Sequence, residues 1–195
     1  QAEVVTRPQQ PGAAPDPDRI EIHVDANRCC GQAHGTESRA GTLRSVDQTI
    51  TSDTEAPPDR LHAIVADLTS YPEWLDLVTK VEPDVAAATD VGPAYLVTLR
   101  AKIGPFARNK RLRMVRTEMA TPTRVRFERC ETDGRQHSNW SLTSDVTALD
   151  ENPESRSRVT MHLRYDGQMW SSVLDGALAK VVEAAVPKLQ AYART

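Results

Sequence analysis

Apolar residues alternate with polar ones through most of the second half of the chain, in segments at roughly 76–84, 93–104, 107–118, 122–131, 135–148 and 157–167. A period of two is the signature of a strand with one buried face. The breaks carry turn chemistry: Asp90 with Gly92, Gly104-Pro105, Thr121-Pro122, Asp133-Gly134 and Asp150 to Pro153. Connections this short favour an antiparallel meander over crossover units. One further strand, Ser45 to Ser52, precedes the series.

Helical spacing appears in three places. Pro57-Pro58-Asp59 opens a helix in which Leu61, Ile64, Val65 and Leu68 repeat through Asp67. Tyr71 to Leu75 forms a second, short helix with Ser70 as its cap. The last runs from about Trp170 to Ala193, where Trp170, Leu174, Leu178, Val181, Ala185, Leu189 and Tyr192 make an apolar stripe. Gly176 and Pro187 interrupt it, and Pro187 predicts a bend.

Residues 1–42 break the pattern. They are rich in Pro, Gln, Ala, Gly and Asp, with only Ile20 to Val24 fit for a strand, and read as a disordered leader to a domain at 43–195. The net charge of −3 gives no overall field toward nucleic acid or membrane. No apolar run reaches the ~18 residues of a transmembrane span. The three cysteines, Cys29, Cys30 and Cys130, are too few and too odd for a disulfide framework, which predicts a cytoplasmic protein.

The stretch Ala56-Pro57-Pro58-Asp59-Arg60-Leu61-His62-Ala63-Ile64-Val65-Ala66-Asp67, followed by Leu68-Thr69-Ser70-Tyr71-Pro72-Glu73-Trp74, resembles the opening of the helix-grip superfamily. That group includes START domains, SRPBCC proteins and the bacterial polyketide cyclase/dehydrase and lipid-transport family. The Gly104-Pro105-Phe106 link, the Trp140 strand and the final helix fit the same layout. The resemblance implies an α+β fold: a curved antiparallel sheet of about seven strands, two short helices and a long C-terminal helix. It also implies binding of lipids, isoprenoids or polyketides between sheet and helix, and no single reaction.

Alternation then assigns the inward face. It holds Tyr95, Val97, Leu99 and Ile103, then Leu112 and Met114, Phe127, Ser138 with Trp140, and Met161 with Tyr165. With Trp74 from the short helix and Leu174 and Leu178 from the long one, these line the expected ligand pocket. The competing reading is a solid core.

Other chemistry is sparse. Between Arg100 and Arg129 stand ten basic residues (Arg100, Lys102, Arg108, Lys110, Arg111, Arg113, Arg116, Arg124, Arg126, Arg129) against Glu118 and Glu128. Many of these fall on outward positions, forming a basic plate for an anionic surface or an acyl-carrier protein, or a solvated face balanced by acids elsewhere. Aromatics lie on the opposite parity, which argues against nucleic acid. Cys29-Cys30-Gly31 resembles a ferredoxin opening but lacks the further cysteines a cluster needs, so neither metal nor cofactor is expected. His62 and His162 have no catalytic partner at motif spacing and read as surface residues. The sequence thus predicts a non-catalytic binder or carrier of a small apolar molecule. Its alternatives are an aromatase/cyclase acting on a polyketide and an antitoxin-like partner-binding module.

Overall fold

A computed structural model describes residues 46–103, 106–149, 156–166 and 171–195; within these, the side chains at 46, 101–103, 106–108, 171–179 and 182 lie outside the description. The leader with Cys29 and Cys30, the Gly104-Pro105 link and Trp170 therefore lie outside the described residues. Seven strands form one antiparallel sheet: β1 (Val46–Thr54), β2 (Val78–Asp84), β3 (Ala94–Ile103), β4 (Phe106–Ala120), β5 (Arg124–Arg129), β6 (Trp140–Ala148) and β7 (Ser157–Tyr165). Their order is β1-β7-β6-β5-β4-β3-β2, so β2 to β7 form the expected meander and β1 pairs back onto β7. The sheet is open, with β1 and β2 at its edges. Register shifts between Arg116 and Glu118 and between Val78 and Lys80 mark bulges, which bend strands and add the curvature.

Three helices cover the concave face: α1 (Pro58–Val65), α2 (Tyr71–Trp74) and α3 (Ser171–Arg194), with a 3₁₀ turn at Leu68–Ser70 before α2. This is a helix-grip fold. Pro57 in extended conformation precedes α1, with Pro58 at its first position and Asp59 in its first turn. At its C-terminal end the carbonyls of the last turn would be buried without partners. The following segment supplies them. Ser70 Oγ donates to the Ile64 carbonyl (2.9 Å), Tyr71 Oη to Val65 (3.0 Å) and Arg116 Nη1 to Ala66 (3.4 Å). Asp67 accepts from the Thr69 amide (2.9 Å) to start the 3₁₀ turn.

The core lies between sheet and helices. Leu61 and Val65 of α1 and Val125 and Phe127 of β5 are fully buried. His62 joins them: it is 1% exposed and donates from Nε2 to the Arg124 carbonyl (3.2 Å). The surface position read for His62 is thus corrected, because its place in the helix faces β5. His162, which accepts from or donates to Thr49 (3.0 Å), is exposed as expected.

Strand β6 begins at Trp140 and not near 135. Gly134 takes a positive φ of 69°, and Asp133 accepts from the Arg135 amide (3.1 Å) and the His137 ring (2.9 Å). The chain wraps around that carboxylate, and residues 135–139 make no ladder.

The outward face departs from the expected plate. Arg113 is 3% exposed, covered by the β2–β3 connection. Its guanidinium donates to Asp84 (2.7 Å), to Asp90 (2.6 and 3.1 Å) and to the carbonyls of Val85 (3.0 Å) and Cys130 (2.9 Å). Asp90 also holds the Ala87 amide (2.6 Å). The loop is tied down over a small second cluster of Ala94, Val115 and Cys130. It passes so close to β4 that a Cβ on Gly92 would run into the Arg116 carbonyl oxygen.

Breaking a buried ion pair leaves an uncompensated charge and costs about 3–5 kcal/mol. Arg113→Ala should therefore lower the unfolding free energy from urea titration by that much, whereas Glu82→Ala, in an exposed Lys80–Glu82–Arg111 chain, should change it by less than about 1 kcal/mol. Hydrogen bonds from Arg113 hold the Asp84 and Asp90 carboxyls below the usual carboxylate range. Their contribution is complete above the unfolded value near 4 and is lost as pH falls through the lower folded values. Urea midpoints measured from pH 6 to 2 should fall in that window, and Asp90→Asn should flatten the fall.

Candidate functional site

The concave side chains do not fill the space beneath the helices. A cavity of about 100 Å³ remains between sheet, α2 and the C-terminal half of α3. Packing voids larger than a water are few, and an engineered apolar cavity of about 150 Å³ stays dry and admits benzene.

Each wall is built by a legible rule. From the sheet come alternate residues: Ile50 and Ser52 on β1, Val97 and Leu99 on β3, Leu112 and Met114 on β4, Trp140 and Leu142 on β6, and Val159, Met161 and Leu163 on β7. Leu68, Tyr71, Trp74, Leu75, Leu77 and Val78 close one side, and Ala185, Val186 and Leu189 of α3 roof it. The roof is pinned by Lys188 Nζ on Asp76 (2.6 Å) and Gln190 Nε2 on the Asp53 carbonyl (2.9 Å). Pro187, exposed, sits within the continuous helix α3.

Of the sequence-predicted pocket residues, Trp74, Val97, Leu99, Leu112, Met114, Trp140 and Met161 line this cavity. Tyr95, Phe127 and Tyr165 belong to the core around it: Tyr95 meets Phe127 edge-on at 6.1 Å, and Tyr165 lies against Trp140 at 4.6 Å. Ser138 precedes β6, where its carbonyl accepts from Arg129 Nη1 (3.3 Å). The side chains of Ile103, Leu174 and Leu178 lie outside the described residues. Sequence reading predicted a strand at β1 but assigned none of its residues to the pocket, and it passed over Tyr71, although its neighbour Trp74 was chosen. Ala185 and Leu189 were on the helix stripe but not assigned to the pocket.

The lining has few polar atoms. Tyr71 Oη is spent on Val65, and burial pushes its phenol far above the ordinary range. Trp74 Nε1 reaches Ser70 Oγ at 3.5 Å. Ser52 Oγ and Trp140 Nε1 are buried without a hydrogen-bond partner among the described residues.

The basic strands divide between the two faces. Outward Arg111, Arg113, Arg124 and Arg126 pair with Glu82, with Asp84 and Asp90, with Glu118 and Asp145, and with Glu128. Lys110, Arg116 and Arg129 instead share the concave parity of Leu112, Met114 and Phe127. Arg129, 7% exposed, donates to Glu131 (2.6 Å).

The profile of the family described as "Polyketide cyclase / dehydrase and lipid transport" matches residues 44–194. The chain belongs to that family. No curated protein matches it in sequence. Solved structures similar to it include the Zhui aromatase/cyclase of a Streptomyces species (15% identity, 77% of this chain and 94% of that one, TM-score 0.53). A major latex-like protein of Panax ginseng is similar too (11% identity, 76% and 97%, TM-score 0.54). So is the di-domain aromatase/cyclase BexL of the BE-7585A biosynthetic pathway (14% identity, 78% and 51%, TM-score 0.52). At these identities the likeness shows the shared helix-grip fold. Among the described residues no helix is long and apolar enough to cross a membrane.

Adding methylenes to a packed core costs about 1–3 kcal/mol. Ala185 faces the cavity, so Ala185→Leu should instead leave the melting midpoint of this family member within about 3 °C of wild type; a larger fall would mean the space is not open.

Proposed function

We propose that the chain binds and carries a small apolar molecule, of lipid, isoprenoid or polyketide-like class, in the cavity between sheet and C-terminal helix, as a cytoplasmic protein and without a chemical step. The cavity itself carries the reading: its wall is almost wholly aliphatic and aromatic. Sites of this kind take their affinity from buried apolar surface and their orientation from a few polar groups. At roughly 25 cal/mol per Å², about 200 Å² of ligand surface taken from water contributes roughly 5 kcal/mol before the costs of association.

A second reading, an aromatase/cyclase, is favoured by the two structural neighbours that carry that name. Such chemistry needs aligned groups that fold a reactive chain and relay protons. Tyr95, Tyr165, Ser138, Arg129 and Trp140 are the available set. The Arg129 fork is already engaged by Glu131, the Ser138 carbonyl and His137, which favours binding over catalysis. An anionic partner at the outward strands has less support, since Arg111, Arg113, Arg124 and Arg126 already meet acids on the same face.

Wild-type protein should take up the neutral dye N-phenyl-1-naphthylamine with a rise in emission. Ala185→Leu should lose that uptake while remaining folded by circular dichroism, and native mass spectrometry should find an apolar molecule retained from expression. Wild type that takes up neither dye nor lipid would refute the carrier. Turnover of a poly-β-ketone mimic that falls at least tenfold in Tyr165→Phe would replace it with the cyclase.

A further inference from the structure

The two ends of the cavity differ in chemistry. At one end, Ser52 of β1 pairs in register with Val159 of β7, which pairs with Val146 of β6. At the other, Trp140 of β6 pairs with Tyr165 of β7, six residues and roughly 20 Å along the strands. Lys110 of β4 belongs to this second end. It pairs in register with Leu99, precedes Leu112 by one inward position, and both of those leucines line the cavity. Its ammonium stands 5.6 Å from the centre of the Trp140 ring and 5.2 Å from that of Tyr165, within the range of a cation–π contact.

Among the described residues Lys110 makes no ion pair. Arg129, its cationic neighbour, is paired with Glu131. Burial, and then the charge of Arg129, lower the lysine's proton affinity. A partly desolvated ammonium thus stands over the Trp140 ring, which forms the wall of the apolar chamber at that end. A neutral lipid would leave the cation without an ion pair; a carboxylate would supply one.

We infer that Lys110, seated over the Trp140 ring, forms a head-group subsite, so that the ligand is an amphipathic monocarboxylic acid held with its acid at the Lys110 end and its apolar body along the cavity toward Ser52. The inference rests on the carrier reading and narrows it to one ligand class. A hydrogen bond to a charged group contributes about 1.5–3 kcal/mol, and 1.4 kcal/mol is a factor of ten.

The test is displacement of N-phenyl-1-naphthylamine by dodecanoic acid and by dodecan-1-ol, which share a chain and differ in the head. On wild type the acid should compete about tenfold more tightly than the alcohol. Lys110→Met, which keeps the stem and removes the charge, should abolish that preference while leaving the alcohol within about twofold. Lys110→Arg should retain most of it. Equal competition by acid and alcohol on wild type overturns the subsite and leaves the carrier standing, as does a Lys110→Met protein that keeps the preference. Wild type that takes up no dye overturns the carrier and the subsite together. The wild-type comparison needs no variant, so a misfolded mutant cannot hide the answer.

Discussion

An open sheet with an apolar face has to be covered across its full width, and the described residues hold little with which to do so. Seven strands at about 4.8 Å spacing span roughly 29 Å, whereas a helix with its side chains covers about 10–12 Å. The three helices among the described residues have 8, 4 and 24 residues, so one long rod and two short ones supply the described cover. Curvature brings the edges toward the rod and reduces the mismatch without removing it. The space left over is the cavity, bounded by the sheet, α2 and the C-terminal half of α3. A hollow in this fold is therefore a consequence of its parts, and side-chain size alone decides whether it persists.

That economy makes the short segment after α1 unusually important. Ser70 and Tyr71 satisfy two carbonyls at the end of α1, and Tyr71 and Trp74 turn their rings, 4.5 Å apart, into the cavity wall. One stretch thus ends a helix, starts the next and floors the chamber. Losing the Tyr71 hydroxyl would orphan the Val65 carbonyl in a dry core, where an unsatisfied group costs about 1–3 kcal/mol. The Tyr-Pro-Glu-Trp sequence reads as a family mark because several physical requirements meet in four residues.

The fold was legible because period-two alternation, helical stripes and turn chemistry agreed, and these are local signals. The chamber's walls were legible where alternation was strong, as at Val97, Leu112 and Met161. They were obscure on β1, where Thr49, Thr51 and Ser52 blur the contrast and only pairing with β7 identifies the inward side. Charged residues were misjudged for another reason. Arg113 stands on the outward parity, and the sequence gives no sign that the β2–β3 connection folds back to bury it; that is a tertiary fact. His62 was similarly hidden, since a polar side chain on a short helix looks exposed until a strand carbonyl is found opposite.

Lys110 and Arg113 show why a count of basic residues says little about a surface. Three positions apart on β4, they have opposite parity and opposite fates. The arginine, on the convex side, offers five donors; the end of β2 and the loop after it bring two carboxylates and the Val85 carbonyl to meet them, and the residue after β5 brings the Cys130 carbonyl. The lysine, on the concave side, meets two aromatic faces, which supply quadrupole attraction but accept no proton bond of comparable strength. Desolvating a cation is unfavourable unless a counter-charge or full hydrogen bonding follows. Arg113 has both from its own chain. Lys110 makes no ion pair or hydrogen bond among the described residues, and the only acid that offsets its burial is Glu131, already paired with Arg129, so one basic side chain secures the scaffold while the other is left open to an entering anion.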